Sequence, residues 1–352
     1  MTQLILDGIT THSVTTPRLT ANVLERPAAG AASKTVVFVH GNVSSSLFWQ
    51  PSMLALSPHI RAIAIDLRGF GDSETLPVDA TRGVRDFSDD VVSVLDSLGI
   101  ETFNLVGWSM GGGVAMQLML DHPARVLSLA LVSPVSPYGF GGTRLDGSAL
   151  NADSAGTGGG GANPDFIARL ESRDLGEDPT SPRTVYRTTY VKDPAPLASL
   201  EDVWVESMLS TKTGESNYPG NAGATELWPG FGAGTTGVLN TMSPKYFDVS
   251  GIVDLAVKPV IVWFRGLDDA IVSDASFFDI NYLGQVGVIP GWPGEELAPA
   301  QPMIQQTRAV FDRYEAAGGT VVEVARENTG HSFHLERQDE FCAVLEEHLV
   351  AG

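Results

Sequence analysis

The 352-residue chain has one cysteine, Cys342, and few basic residues. A single cysteine excludes an internal disulfide, and it excludes the Cys-x-x-Cys pairs that are typical of zinc and redox sites. Lysine and arginine total 22 against 42 aspartate and glutamate residues, so the formal net charge is −20. An acidic surface repels nucleic acid and anionic membranes, and neither is expected as a partner. Solubility is a sufficient explanation for the excess of acidic residues.

The chain also lacks a long apolar segment. No run is long enough to cross a bilayer, and the opening stretch "MTQLILDGITTHSVTT" alternates like a strand instead of placing an apolar block after a basic one. We therefore expect no signal peptide, no membrane association and a cytoplasmic location. Metal-ligand spacings and a glycine-rich phosphate loop are absent as well, so no metal and no cofactor are predicted.

Short apolar strands alternate with helical patterns in both outer parts of the sequence. Their composition predicts a mostly parallel sheet covered by helices on both faces. The strand predictions are 35–41, 61–66, 103–107, 127–134, 258–266 and 320–326. The fold class expected from this alternation is α/β.

The middle of the chain has a different composition. A stretch rich in glycine and small polar residues begins at 136, and scattered helical pieces and aromatic residues follow it. We predict a core formed by 1–136 and 256–352, with a large helical lid inserted at 137–255. A smaller insertion is predicted at 275–302, where it would border either the pocket or a subunit contact.

One serine lies between two glycines where an apolar strand turns into a helix. The stretch reads Gly107-Trp108-Ser109-Met110-Gly111. Such a corner forces the serine into a strained backbone conformation and raises its hydroxyl above the first turn of the helix. The positive end of that helix favours developing negative charge. The pattern predicts Ser109 as a nucleophile; the alternative is a glycine-rich helix cap in an unrelated α/β protein.

Four further segments accompany the serine corner in a characteristic order. They are "VFVHGN" (37–42), "DLRGFGDSE" (66–74), "RGLDDAIVSD" (265–274) and "TGHSFHLERQDEF" (329–341). Together with the corner they resemble the α/β-hydrolase superfamily over nearly the whole chain outside the insertions. The resemblance implies a mostly parallel twisted sheet and a Ser-His-Asp triad that performs acyl transfer.

The resemblance also implies a role for individual residues. His331 corresponds to the catalytic base, and His334 is the less favoured candidate. Asp269 corresponds to the acid by its spacing from the glycine at 266, although the adjacent Asp268 is a rival.

The oxyanion hole of the superfamily consists of main-chain N–H groups, and the matching positions here are Asn42 and Met110. The candidate substrate contacts are Val43, Trp108, Tyr190, Trp204 and His334. Trp108 is equally well explained as a core residue, and His334 as a helix cap or lid contact.

Ester or lactone hydrolysis is the favoured reaction, since relatives that open epoxides or remove halides have aspartate in place of Ser109. The many aromatic residues of the lid favour a bulky apolar substrate, for which a zearalenone-type lactone or an aryl or terpenoid ester would be suitable. The alternatives are a cofactor-free haloperoxidase or perhydrolase, a C–C bond hydrolase and a small-molecule receptor on the same fold. A homo-oligomer is compatible with the sequence.

Overall fold

An eight-stranded sheet forms the centre of the protein. The structure is a computed structural model that describes residues 3–352. The strands follow the order β1-β2-β4-β3-β5-β6-β7-β8 across the sheet. Their bounds are β1 (Thr10–Thr15), β2 (Thr20–Arg26), β3 (Lys34–Val39), β4 (Ile60–Ile65), β5 (Phe103–Trp108), β6 (Val126–Val132), β7 (Val260–Gly266) and β8 (Val321–Arg326).

All neighbouring strands from β4 to β8 in this order are parallel, whereas β1 pairs antiparallel with β2 and β2 antiparallel with β4. The central strand β5 is buried along its whole length, because helices cover both of its faces. The edge strand β1 is mostly exposed. The predicted α/β fold with a mostly parallel sheet is confirmed.

Helices lie on both sides of this sheet and in the two insertions. Their bounds are α1 (Gln50–Ala55), α2 (Arg85–Ser97), α3 (Met110–Asp121), α4 (Pro164–Glu171), α5 (Pro182–Val185), α6 (Glu201–Leu209), α7 (Ile280–Gln285), α8 (Met303–Ala316), α9 (Phe333–Glu336) and α10 (Gln338–His348). A π-helical turn, Tyr186–Tyr190, continues α5. Within residues 3–352, no helix combines the length and the apolar character that crossing a bilayer requires.

The segment between β6 and β7, here called the lid (137–255), leaves the core and returns to it at one point. The N–H of Val249 donates to the carbonyl of Pro137 over 2.8 Å. Two of its hydrogen bonds reach loops at the edge where the parallel strands end: the hydroxyls of Ser207 and Ser45, after β3, are 2.6 Å apart, and the N–H of Lys212 donates to the carbonyl of Gly69, after β4 (2.9 Å). The function of this segment as a lid stays a prediction. It is less helical than predicted, because its glycine-rich stretches form loops and short strand pairs.

The smaller insertion packs against the lid. Asp279 links the early part of this insertion to its end, because its carboxylate accepts hydrogen bonds from the N–H groups of Asn281 (3.1 Å) and Gln301 (2.7 Å). Burial raises the pKa of Asp279. The indole N–H of Trp228 in the lid donates to the carbonyl of Pro290 (2.9 Å). The prediction that this insertion borders either the pocket or a subunit contact stays a prediction.

Candidate active site

Ser109 forms the corner between β5 and α3. Its backbone has φ 58° and ψ −122°, a conformation that side-chain-bearing residues rarely adopt. The corner is tight enough that a Cβ on Gly111 would lie 2.3 Å from the carbonyl oxygen of His40. Glycine at 111 therefore lets the helix start directly beside β3. Ser109 itself is half-buried, so its hydroxyl stands at the end of the sheet and not inside the core.

The loop after β3 lies against this corner. A Cβ on Gly41 would approach the Cβ of Ser109 to 3.0 Å. His40 holds the loop: its Nε2 accepts from the N–H of Leu67 (3.0 Å), so its Nδ1 carries the proton and donates to the carbonyl of Gly41 (2.8 Å). Burial lowers the pKa of His40, which keeps the ring neutral in this arrangement. His40 thus joins the loops that follow β3 and β4.

Two main-chain donors beside Ser109 remain available. The N–H of Met110 belongs to the first turn of α3, where helical N–H groups have no intrahelical acceptor. The N–H of Asn42 lies in the loop after β3. Neither group donates to a backbone carbonyl within residues 3–352. Both therefore have the free N–H that an oxyanion hole requires.

His331 and Asp269 form a buried pair. The Nδ1 of His331 lies 2.9 Å from the Oδ2 of Asp269, and each side chain is 2 % exposed. The other carboxylate oxygen, Oδ1, accepts from the N–H groups of Ile271 (2.8 Å) and Val272 (3.0 Å). These bonds fix the carboxylate, so the ring donates through Nδ1 and its Nε2 is left as an acceptor.

The rival carboxylate, Asp268, has different partners. One of its oxygens lies 2.9 Å from the Nζ of Lys192 in the lid, and the other accepts from the N–H of Asn328 (2.9 Å). Its hydrogen bond to Lys192 lowers the pKa of Asp268. Of the two adjacent carboxylates, Asp269 is therefore the one that reaches His331.

Two of the predicted substrate contacts, Trp108 and Tyr190, lie next to His331, and a third, Trp204, packs on another aromatic ring. Trp108 is fully buried, and its indole N–H donates to the carbonyl of His331 (3.0 Å), which links the serine corner to the histidine loop. The hydroxyl of Tyr190 lies 3.1 Å from the carbonyl oxygens of both Asn42 and Val43. Trp204 stacks on Phe48 with a ring separation of 5.2 Å. Substrate contact stays a prediction for Val43, Trp108, Tyr190 and Trp204.

His334 has the environment of a core residue. Its ring lies 4.3 Å from that of Trp49 and 4.9 Å from that of Trp108, and neither ring nitrogen has a hydrogen-bond partner within residues 3–352. Burial lowers the pKa of His334 well below the ordinary value, so the ring is neutral. These contacts explain the residue by packing, and its role as a substrate contact stays a prediction.

Sequence reasoning missed Glu336, which fastens the lid to the histidine loop. Its Oε1 accepts from the N–H groups of Lys192 (2.7 Å) and Asp193 (3.2 Å), and its Oε2 accepts from the N–H of Gly330 (2.6 Å). Burial raises the pKa of Glu336. The available signal was an acidic residue five positions after His331, although its partners in the lid are distant in sequence.

Cys342 is predicted to be chemically inert in the folded protein. Burial raises the pKa of its thiol to about 12, and the reactive species is the thiolate. We expect Ellman's reagent to leave the native protein unmodified at pH 8 and to titrate one thiol after denaturation in guanidinium. Rapid modification of the native protein with a parallel loss of activity would contradict this and would implicate the cysteine in the site.

Comparison with known proteins agrees with this architecture. Residues 34–160 match the family model described as the alpha/beta hydrolase fold. A serine hydrolase of the polyaromatic-hydrocarbon-degrading bacterium Cycloclasticus zankles superimposes with a TM-score of 0.60 at 16% identity, and the match covers 96% of each chain. At this identity the likeness concerns the fold.

Local sequence similarity links the chain to curated relatives. It is 42% identical over 112 residues to the dihydrolipoyllysine-residue acetyltransferase component of the acetoin cleaving system of Cupriavidus necator, which covers 32% of this chain and 29% of that protein. It is 33% identical over 104 residues to the carboxylesterase YbfK of Bacillus subtilis, which covers 30% of this chain and 35% of that protein. The chain thus spans about a third of the length of these relatives. By its strand order, its serine corner and these matches, the protein has the α/β-hydrolase fold.

Proposed function

We propose that the protein is a serine hydrolase that cleaves an ester or lactone bond of a bulky apolar substrate through an acyl-enzyme. The observation that carries the proposal is the buried bond between His331 and Asp269 beside a strained serine corner with two free N–H groups. In the proposal Ser109 is the nucleophile, His331 the base and Asp269 the acid.

The first half of the reaction forms the acyl-enzyme. Because the Nδ1 of His331 donates to Asp269, its Nε2 takes the proton of Ser109 as the serine oxygen attacks the carbonyl carbon. The carbonyl electrons move to the oxygen, and the N–H groups of Asn42 and Met110 stabilise that negative charge. The C–O bond then breaks, and the leaving alkoxide takes the proton from His331.

The second half of the reaction hydrolyses the acyl-enzyme and releases the carboxylic acid product. Water gives a proton to His331 and attacks the acyl carbon, and the tetrahedral intermediate expels the oxygen of Ser109, which recovers its proton from His331. Asp269 keeps the ring orientation and stabilises the imidazolium in both halves without becoming protonated. No cofactor takes part in the proposed reaction.

The substrate class is proposed from the surroundings of the site. The aromatic side chains around His331 and the apolar lid suit an uncharged, bulky acyl or alcohol group. The resemblance of one segment to a carboxylesterase supports an ester bond. Within this class, a macrocyclic lactone of the zearalenone type and an aryl or terpenoid ester are the substrates to examine first.

Labelling with a fluorophosphonate tests the proposal directly. We expect one equivalent of probe on the peptide that contains Ser109, and release of p-nitrophenol from p-nitrophenyl butyrate by the unlabelled protein only. A panel of lactones and aryl esters then compares kcat/KM among substrates. An unlabelled and inactive protein, or ligand-induced thermal stabilisation without turnover, would overturn the proposal and favour a receptor.

A further inference from the structure

A residue of the lid holds the loop that carries Asn42. Tyr190 is the last residue of the π-helical turn, and its hydroxyl lies 3.1 Å from the carbonyl oxygens of Asn42 and Val43. Within residues 3–352 no backbone N–H outside the regular elements donates to either oxygen. The single proton of the hydroxyl is therefore shared between these two acceptors in a bifurcated hydrogen bond.

The loop has a conformation that requires such support. Val43 has φ 47°, in the left-handed region that β-branched residues strongly disfavour. The carbonyl of Asn42 belongs to the peptide before Val43, and the carbonyl of Val43 belongs to the peptide after it. A donor to both oxygens holds the two peptide planes around the strained residue. Asn42 is the residue whose N–H is the proposed oxyanion donor.

Tyr190 is itself fixed to the histidine loop. Its carbonyl accepts from the N–H of Ser332 (2.9 Å), and its ring meets that of Trp108 edge-to-face at 5.6 Å and that of His331 at 6.2 Å. The residue is 6 % exposed, so its hydroxyl is largely removed from solvent. One lid residue thus connects the loop of the proposed base with the loop of the proposed oxyanion hole.

We propose that Tyr190 is a positioning residue, whose hydroxyl keeps the N–H of Asn42 aimed at the oxyanion; the inference rests on the proposed function. The negative charge exists only in the tetrahedral intermediate and its transition states, whereas the substrate carbonyl is neutral. Loss of the hydroxyl should therefore lower kcat and leave KM nearly unchanged.

The variant Tyr190→Phe removes the hydroxyl and keeps the ring. We expect kcat to fall by about 10- to 100-fold, because small displacements of a catalytic group have effects of this order, and KM to change by less than about threefold. The serine oxygen adds to the carbonyl carbon of a trifluoromethyl ketone, which gives a tetrahedral oxyanion. The Ki of this inhibitor for Tyr190→Phe should therefore rise by the same factor as kcat/KM falls. Fluorescence-monitored melting reports whether each variant is folded.

Tyr186→Phe is the matched control. Tyr186 lies in the same π-helical turn and is fully buried, but its hydroxyl has no hydrogen-bond partner within residues 3–352. We expect this variant to keep its kcat and its Ki. A second variant, Val43→Gly combined with Tyr190→Phe, should recover part of the lost kcat, since glycine adopts positive φ without strain.

The outcomes separate the inference from the proposed function. A wild-type protein that the fluorophosphonate does not label, and that hydrolyses no ester, overturns the proposed function. An active, labelled wild type with an equally active Tyr190→Phe variant overturns only the inference. Two further results would also overturn the inference. One is a loss of kcat in Tyr190→Phe without a matching rise in the Ki of the trifluoromethyl ketone, and the other is an equal loss of kcat in Tyr186→Phe.

Discussion

Replacement of Ser109 by alanine is expected to lower kcat by a factor of about 10⁴ to 10⁶. In the proposed mechanism the variant lacks the oxygen that forms the acyl-enzyme, and the free N–H groups of Asn42 and Met110 cannot substitute for it. Initial rates with p-nitrophenyl butyrate and labelling by the fluorophosphonate measure the effect. The melting temperature should change little, because alanine keeps the Cβ at the positive φ of residue 109.

A surface serine provides the control for this change. Ser97, the last residue of α2, is exposed, and its hydroxyl donates only within its own helix, to the carbonyl of Ser93 (2.9 Å). Ser97→Ala should keep full activity and full labelling. Retention of more than a few per cent of activity by the purified Ser109→Ala variant would remove this residue from the nucleophile position.

The two adjacent aspartates are expected to respond very differently to the same change. Asp269→Asn should lower kcat by about 10⁴-fold, because an amide can hold His331 in the wrong tautomer and cannot stabilise the imidazolium. Asp268→Asn should lower kcat by less than about tenfold. It weakens a half-exposed ion pair with Lys192 at the edge of the lid, and such pairs contribute about 0–1 kcal/mol to stability.

The comparison is made at one pH and with one substrate, and Ser109 labelling is followed in both variants. Asparagine has nearly the volume of aspartate, so both proteins should fold, and each is the control for the other. A larger loss of activity in Asp268→Asn than in Asp269→Asn would reverse the assignment of the acid and would show that the loop rearranges in solution.

The fold was readable from the sequence because its signals are local. The apolar strands were predicted within one or two residues of their observed bounds: 35–41 corresponds to Lys34–Val39, and 258–266 to Val260–Gly266. The serine corner was equally clear, since glycine at 111 is required by a contact with the neighbouring strand. The resemblance to the superfamily also favoured Asp269 over Asp268, through the spacing of the carboxylate from Gly266.

What the sequence did not reveal depends on contacts between distant segments. The hydroxyl of Tyr190 meets carbonyls nearly 150 positions earlier, and Glu336 binds the lid 143 positions earlier. Neither contact has a local periodicity or a characteristic spacing. The helical content of the lid was overestimated for a related reason. Its many glycines produce no hydrophobic periodicity, and its short elements are stabilised by packing on the core.

The N–H of Val249 bonds to the carbonyl of Pro137 where the lid meets the core, and further hydrogen bonds through Ser207, Lys212 and Tyr190 tie the lid to the loops after β3 and β4. A lid transplanted from another hydrolase must therefore reproduce these contacts with the core. Tyr190 sets a condition on such chimaeras. A transplanted lid without an equivalent hydroxyl would leave the carbonyls of Asn42 and Val43 without this hydrogen-bond donor.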